Sequence, residues 1–479
     1  MFHTEYSAFI VKRCLQFGYE LTPKLIEYSK QIKDTPDVDV KLTCNYPLRP
    51  YQVESVKRMI PKKYGVLLAD DMGLGKTLQA IAVVTERKEY PVVIICPSHL
   101  KDVWKCEFSK WAPDVALTTL KGQKAKPIDK DSQVVIINYE ILKFWSDELT
   151  VLDPKIIILD EAHRCKSKDA QCTVNAKILT DDRYTMLLTG TPLTKNAMDV
   201  YTLVSMINPH LLGNSTTFKE NFVEVETVQY WMTLPGGQRK LMKREKDGGC
   251  KNVQDLHELL TRTVMIRRRK EDVLTELPAK TRNMVHVSIN TAEYKKLKAE
   301  AKKEGKDGFG ALYKMLGMGK VKHAIEWITD YLAETDEKLI VMVWHRDVAE
   351  ALHKAFQDES VLIYGGKSTD VKKTLLDEWR TKKQLLIGNM KSIGEGLTLV
   401  ESSTILFVEL PLTDMSRAQA EDRICRIGQT QVCMYYYLIA METLEDRIMD
   451  LITRKHDDLS KLADGKTSEN VFKQALEDA

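Results

Sequence analysis

The sequence predicts an α/β protein of two tandem domains, each a parallel sheet with helices on both faces. Three observations predict it. From about residue 46, short β-branched runs alternate with longer runs of helical spacing. The alternation breaks over residues 209–282 and resumes near residue 338. The 479 residues, 43% of them hydrophobic, suffice for about two to four domains with more than one core.

Each element follows from its local pattern. In residues 1–45, Phe9, Ile10, Leu15, Phe17, Leu25 and Ile26 fall at helical spacing, with Pro23 interrupting and Pro36 marking a linker. This reads as a small helical appendage. The first large domain is expected over 46–280. Its strands are Val66-Leu68, Val92-Cys96, Val134-Ile137, Ile156-Leu159 and Met186-Leu188, with helices at Leu78-Arg87 and Val103-Trp111 between them. Residues 209–280 read as a helical, basic insertion, solvated and partly flexible in the plainer reading. Thirteen basic against seven acidic residues lie between Gly237 and Arg282. That excess is either a solvated surface or a face that meets a nucleic-acid backbone. The second domain is expected over 281–479. Its strands are Leu339-Val343, Val361-Ile363, Leu385-Ile387, Thr404-Val408 and Met434-Leu438, with helices at Val348-Phe356 and Val371-Trp379 and a helical C-terminal tail. Strands separated by helices require parallel pairing with both faces covered.

Composition excludes several classes. The 71 basic and 68 acidic residues leave a net charge of only +3, so a globally basic nucleic-acid coat is not indicated. No apolar run approaches the roughly 20 residues of a membrane span. The N-terminus has no basic stretch leading into an apolar one, so a secretory signal is not expected. The nine cysteines contain no Cys-x-x-Cys pair, which favours reduced thiols over a disulfide framework or structural zinc.

The most informative segment follows the strand Val66-Leu68. Asp70-Asp71-Met72-Gly73-Leu74-Gly75-Lys76-Thr77 leads directly into a helix. A glycine loop between strand and helix lets backbone N–H groups wrap phosphate oxygens at a helix N-terminus. Lys76 would reach the β- and γ-phosphates and Thr77 would ligate magnesium. The strict phosphate-loop pattern has glycine where this chain has Asp70, and a tight strand-to-helix turn is the alternative reading. At the end of the strand Ile156-Leu159 stands Asp160-Glu161-Ala162-His163. Asp160 would hold magnesium and Glu161 would activate water. Alternatively, the acidic pair simply favours a helix N-terminus. Thr189-Gly190-Thr191-Pro192 follows the next strand and is by itself only a turn.

Gln419, Arg423 and Arg426 are spaced to share one face of a helix running from Asp414 to near Gly428. Three donors on one face suit the oxygens of a transferring phosphoryl group, with the arginines as fingers. A surface pairing with Glu421 and Asp422 is the other reading.

Together these segments resemble the SWI/SNF-type branch of superfamily II helicase-fold ATPases, from about Leu48 to Ile452. Leu48-Arg49-Pro50-Tyr51-Gln52 is similar to the adenine-reading Q motif, and Asp70–Thr77 to motif I. Cys96-Pro97-Ser98, followed by Trp104, Glu107 and Trp111, is similar to motif Ia; Asn138-Tyr139-Glu140 to motif Ib; Asp160–His163 and Leu188–Pro192 to motifs II and III. Arg267–Val273 with Leu277-Pro278 resembles the link between the lobes, and Gln419–Gln429 resembles motif VI, with Cys425 in place of a usual histidine. Within the branch the similarity is greatest to the annealing-helicase (HARP-like) subgroup. This rests on the compact link and on Ser392–Leu399, which departs from the remodeller form of motif V. A compact prokaryotic or viral member is expected.

The resemblance implies two RecA-like lobes and an ATPase that uses ATP and Mg2+ and translocates on double-stranded DNA, annealing strands or regressing forks. It implies nucleotide contacts at Gln52, Gly73, Gly75, Lys76, Thr77 and Gln419, magnesium at Thr77 and Asp160, and catalysis by Lys76, Glu161, Arg423 and Arg426. It implies DNA contacts at Pro97, Ser98, Asn138, Tyr139, Thr189, His345, Gly365 and Thr398. The expected partners are double-stranded or forked DNA and, further, single-stranded-DNA-binding or replication proteins. A monomer with no membrane contact is expected, in the cytoplasm of a prokaryote or infected host, or in a eukaryotic nucleus. The competing readings are a DEAH-type helicase separating RNA or DNA strands, and an ATP-gated DNA clamp that recruits a partner.

Overall fold

In the computed structural model, residue 42 and residues 46–445 are described, apart from 191–196, 234–238, 275, 291, 293, 297–305, 367–368, 394–396, 412–413 and 444. The expected helical appendage (all but Leu42), Thr191-Pro192, Gly236-Gly237, the 394–396 stretch and the C-terminal tail lie outside them. The chain divides into two compact units between Val273 and Leu274.

The first unit is organised by a seven-stranded parallel sheet. Its strands are β1 (Gly65–Leu68), β2 (Val92–Cys96), β3 (Leu117–Thr119), β4 (Val134–Asn138), β5 (Ile156–Asp160), β6 (Tyr184–Leu188) and β9 (Met265–Ile266), in the order β3-β4-β2-β5-β6-β1-β9. Successive side chains point to opposite faces, and each strand therefore feeds two cores. Leu67, Val93, Ile95, Ile137, Ile157, Leu159 and Leu187 lie in one cluster. Val66, Leu68, Ile94, Ile136, Ile158 and Met186 lie in the other. All are buried, which is why these strands read as continuous apolar runs.

The second unit has a six-stranded parallel sheet of β10 (Lys280–Val287), β11 (Leu339–Val343), β12 (Ser360–Ile363), β13 (Leu385–Asn389), β14 (Thr404–Phe407) and β15 (Cys433–Ala440), ordered β10-β15-β14-β11-β13-β12. Here too alternate residues divide between two clusters, Ile340 and Met342 against Leu339, Val341 and Val343. A helix at Lys306–Glu334 packs on this unit. Its pattern is blurred by Gly308, Gly310, Gly317 and Gly319, so the sequence did not single it out. Gly317 has a steric role, since a Cβ there would lie 2.5 Å from Glu409 Oε1. Lys320 of the same helix is fully buried, and its ammonium donates to both Glu445 oxygens at 2.7 and 2.9 Å and to the Leu438 carbonyl at 3.0 Å.

The expected helical and basic insertion carries two helices and, between them, a strand ribbon. A helix at Ser215–Phe222 leads into an antiparallel ribbon of β7 (Val223–Thr233) and β8 (Arg239–Cys250), and an amphipathic helix follows at Val253–Thr263. The basic excess is consequently dispersed. Part falls on β8, Arg267 and Arg268 follow β9, and Lys280 and Arg282 lie on the edge strand β10.

Among the described residues, no helix is long and apolar enough to cross a membrane, seven cysteines are free thiols, and no acidic, histidine or cysteine cluster forms a ready metal cage.

Candidate nucleotide site and arginine segment

Strands β5, β6 and β1 are neighbours, and the chain leaves each at the carboxyl edge where ligands gather in open α/β sheets. Asp160 and Glu161 stand at the end of β5, Thr189 and Gly190 after β6, and Asp70–Thr77 after β1. Residues far apart in sequence thus meet at one edge.

The loop after β1 has the shape the glycines predict. Gly73 and Gly75 take φ values of 82° and 72°, in the left-handed region open to glycine. A Cβ on Gly75 would lie 2.4 Å from Gln52 Nε2. The helix Lys76–Arg87 begins immediately, so its unpaired N–H groups face the loop. Lys76 Nζ donates to the carbonyls of Asp70 and Asp71 at 2.8 and 3.1 Å. Burial lowers the Lys76 pKa, while the charges of Glu161, Asp70, Asp160 and Asp71 act in the opposite sense. Gln52, expected to read adenine, is buried against the loop. Its Nε2 donates to the Leu74 carbonyl at 3.0 Å, and its Oε1 accepts from the Arg49 N–H at 2.9 Å.

Asp160 is held from three sides. Its Oδ1 accepts the Glu161 N–H at 2.9 Å, its Oδ2 accepts the Trp104 indole N–H at 2.9 Å, and its carbonyl accepts the Tyr139 hydroxyl at 2.7 Å. Burial, then the Glu161 charge, raise its pKa to about 6. Glu161 adopts φ 51° and ψ 48° without being glycine, a conformation that costs roughly 1–3 kcal/mol and concentrates at functional sites. Glu161 Oε2 lies 3.2 Å from His163 Nδ1, which lies 3.4 Å from Thr189 Oγ1. Gly190 packs against the loop, where a Cβ would meet Met72 Cγ at 2.8 Å.

Asp160 and Glu161 place two carboxylates side by side, with burial raising the pKa of the first. Asp160 with the half-buried Thr77 hydroxyl offers hard oxygen donors of the kind magnesium takes. Glycine loop, lysine and helix N-terminus offer phosphate ligands. The residues present fit a magnesium nucleotide.

The second unit corrects the expected arginine helix. The helix spans only Asp414–Glu421, so Arg423 and Arg426 lie in the turns that follow rather than on one helical face with Gln419. Arg423, 6% exposed, donates through Nε to the Gln419 carbonyl at 3.0 Å and through a terminal nitrogen to the Leu397 carbonyl at 3.1 Å. Arg426 is half-buried and donates to the Asp422 carbonyl at 2.7 Å and to Thr398 Oγ1 at 3.1 Å. Of the alternative pairing, the Asp422 charge does act on Arg426, and both carboxylates are also engaged by the edge strand β10. Glu421 takes a two-pronged bond from Arg282, with both distances 2.7 Å, and Asp422 takes Lys280 at 2.7 Å. Burial works against the Glu421 charge, yet Arg282 and the Tyr437 hydroxyl at 2.6 Å hold its pKa below the ordinary value.

The expected DNA contacts divide. Ser98, Gly365 and Thr398 are exposed, and His345 is half-buried with Nδ1 2.6 Å from Glu409 Oε1. Pro97, Asn138, Tyr139 and Thr189 are buried, so their side chains do not form an outward face. The reason is local pairing. Asn138 accepts from Lys101 at 2.8 Å and donates to Glu140 at 2.7 Å, and Tyr139 points inward to Asp160. Trp104 stood out in the sequence only as part of motif Ia. Its hydrogen bond to Asp160 has no sequence signal beyond a tryptophan on the helix after β2.

The SNF2-related domain matches residues 13–364 and the helicase conserved C-terminal domain matches residues 319–428. The SWI/SNF-related matrix-associated actin-dependent regulator of chromatin subfamily A-like protein 1 of Xenopus laevis is 29% identical over 470 residues, covering 93% of this chain and 46% of that protein. The human DNA annealing helicase and endonuclease ZRANB3 is 26% identical over 438 residues, covering 85% and 40%. The chain thus spans about half the length of the curated relatives it matches. The Sulfolobus solfataricus SWI2/SNF2 ATPase core, solved in complex with dsDNA, is 23% identical with a TM-score of 0.42, over 89% of this chain and 95% of that one. With parallel sheets flanked by helices in both units and an SNF2-related match across most of its length, the chain belongs to the SNF2-related family of two-lobed, helicase-type ATPases.

Proposed function

We propose that the protein hydrolyses ATP to move along double-stranded DNA, and that the movement anneals strands or regresses forks. The observation that carries the reading is the meeting of Lys76, Thr77, Asp160 and Glu161 at the carboxyl edge of β1 and β5. Lys76, now on the Asp70 and Asp71 carbonyls, exchanges them for β- and γ-phosphate oxygens. Thr77 and Asp160 would hold magnesium, which when bound would neutralise charge on the phosphates. Glu161 orients the attacking water and takes its proton. Trp104 fixes the Asp160 carboxylate that would hold magnesium. Arg426, the less buried arginine, offsets charge that develops in the transition state, and Arg423 braces the segment at Leu397-Thr398.

Family membership supports DNA as the track, and the annealing-helicase relatives support rewinding over strand separation. An ATPase panel without nucleic acid and with single-stranded, duplex and forked DNA and RNA tests the first part. Duplex or forked DNA is expected to stimulate most; preferential stimulation by RNA would favour a DEAH-type RNA helicase instead. On a labelled fork, ATP-dependent regression should outweigh strand release, and the reverse would mark a conventional helicase.

A further inference from the structure

The loop after β1 departs from the strict phosphate-loop pattern at Asp70, and the structure shows what that aspartate meets. Strand β9 pairs with β1, so the chain leaving β9 runs beside the loop. Backbone bonds continue the contact: Ala69 N–H donates to the Ile266 carbonyl at 2.7 Å and Asp71 N–H to the Arg268 carbonyl at 3.0 Å. Side chains then lock the two segments together. Arg267 donates to the Ala69 carbonyl at 2.9 Å and lies 3.2 Å from Asp71 Oδ1. The Lys270 N–H donates to Asp71 Oδ2 at 2.9 Å. Arg268 lies 3.8 Å from Asp70 Oδ1, 3.0 Å from Glu54 Oε2, and donates to the Ser55 hydroxyl. Gln79 donates to Asp70 Oδ2 at 3.3 Å.

Asp70 is fully buried, and both arginine side chains are about nine-tenths buried. Burial raises the Asp70 pKa, and the Arg268 charge is the largest influence opposing it, followed by Lys76. A buried carboxylate is tolerated only with a partner. Asp70 and Asp71 are also the residues whose carbonyls hold Lys76. The resemblance placed Arg267–Lys270 in the link between lobes, and the charge count placed them on a possible DNA surface. The geometry adds contacts with the phosphate loop.

We propose that Arg267 and Arg268 are positioning residues of the nucleotide site, fixing the phosphate loop through Asp71 and Asp70 in place of the glycine found in the strict pattern. The proposal rests on the nucleotide-binding part of the proposed function and is independent of any action on DNA. With the arginines in place, the loop keeps its shape when Lys76 leaves the two carbonyls for phosphate. Without Arg268, Asp70 loses the largest influence that offsets its buried charge, and the loop must shift to hydrate it.

The test uses the full chain, a fluorescent ATP analogue and a short duplex. Arg268→Gln is expected to raise the Kd for the analogue about tenfold while leaving the dependence of duplex binding on salt unchanged. Asp70→Asn/Arg268→Gln, with both buried charges removed, is expected to return to within about threefold of wild type. A purely structural role for Arg268 would not produce that rescue. If Arg268→Gln does not fold, Arg268→Lys keeps the charge but loses the fork to Ser55 and Glu54, and raises Kd about threefold. The proposal is overturned if nucleotide affinity is unchanged and the duplex salt slope falls by about one, or if the double variant binds the analogue no better than Arg268→Gln. A wild-type chain that does not bind the analogue contradicts the proposed function itself.

Discussion

The two lobes handle their functional charges differently. Around the phosphate loop, residues 49–55, 70–79 and 265–270 interlock through bonds that join segments remote in sequence, as Gln52 to Leu74 and Arg267 to Ala69, beside local ones such as Lys76 to Asp70. Around Arg423 and Arg426 the donors rest mainly on nearby carbonyls and on Leu397-Thr398, and the neighbouring carboxylates are neutralised by Lys280 and Arg282 of an edge strand. The first arrangement preorganises a binding site. The second holds one arginine for structure and leaves the other more accessible. A lone sequence motif does not distinguish these uses, but burial and hydrogen-bond partners do.

The largest expected effect is in lobe one. Lys76→Ala should reduce hydrolysis to background while duplex binding persists, because the lysine faces the loop and not the outer surface. Glu161→Gln should lower kcat by about 10²–10⁴ while retaining nucleotide, since the amide keeps the shape and loses the base. Normal turnover in Glu161→Gln would remove it from the water-activating role.

The arginines should then part company. Arg426→Ala is expected to lower kcat by about 10³ with little change in nucleotide affinity or melting. Arg423→Ala should also destabilise lobe two, by about 2 kcal/mol, because it removes charge-assisted bonds to the Gln419 and Leu397 carbonyls. Denaturant unfolding beside steady-state kinetics separates the two effects. Equal stability losses would erase the distinction between brace and finger.

A purely structural counterpart is Lys320 in lobe two. Lys320→Ala leaves Glu445 buried without its partner and should cost about 3–5 kcal/mol of stability. Its nucleotide affinity, measured below the melting transition, should remain that of wild type. The smallest effect is expected for Trp104→Phe, which keeps the packing and loses the indole N–H to Asp160. It should raise the Mg2+ concentration for half-maximal ATPase a few-fold, roughly the loss of one hydrogen bond to a charged group. An unchanged magnesium requirement would make Trp104 a core residue only.

Legibility from sequence followed the physics of each element. Fully buried parallel strands such as Val92–Cys96 and Leu339–Val343 were legible because both faces demand apolar residues. The phosphate loop and Asp160-Glu161 were legible because their chemistry needs fixed residues at strand ends. The ribbon β7–β8 was not, since a two-stranded ribbon has no obligatory apolar alternation on both faces. The glycines of Lys306–Glu334 concealed a helix, of which Gly317 is needed for close approach to Glu409. The shortening of the arginine helix to Glu421 was hidden because i, i+4 spacing describes a helix only while the helix lasts. The inward turn of Asn138 and Tyr139 depended on Lys101, Glu140 and Asp160, partners that only folding assembles.

The central claim is that hydrolysis at this site drives movement on an intact duplex. Triplex displacement tests it most directly: a third strand annealed to a long duplex should be released when ATP is added, and not with Lys76→Ala. Release by wild type that requires ATP and Lys76 is the predicted result. Strong duplex-stimulated hydrolysis with no release of the third strand would contradict movement and leave an ATP-gated clamp.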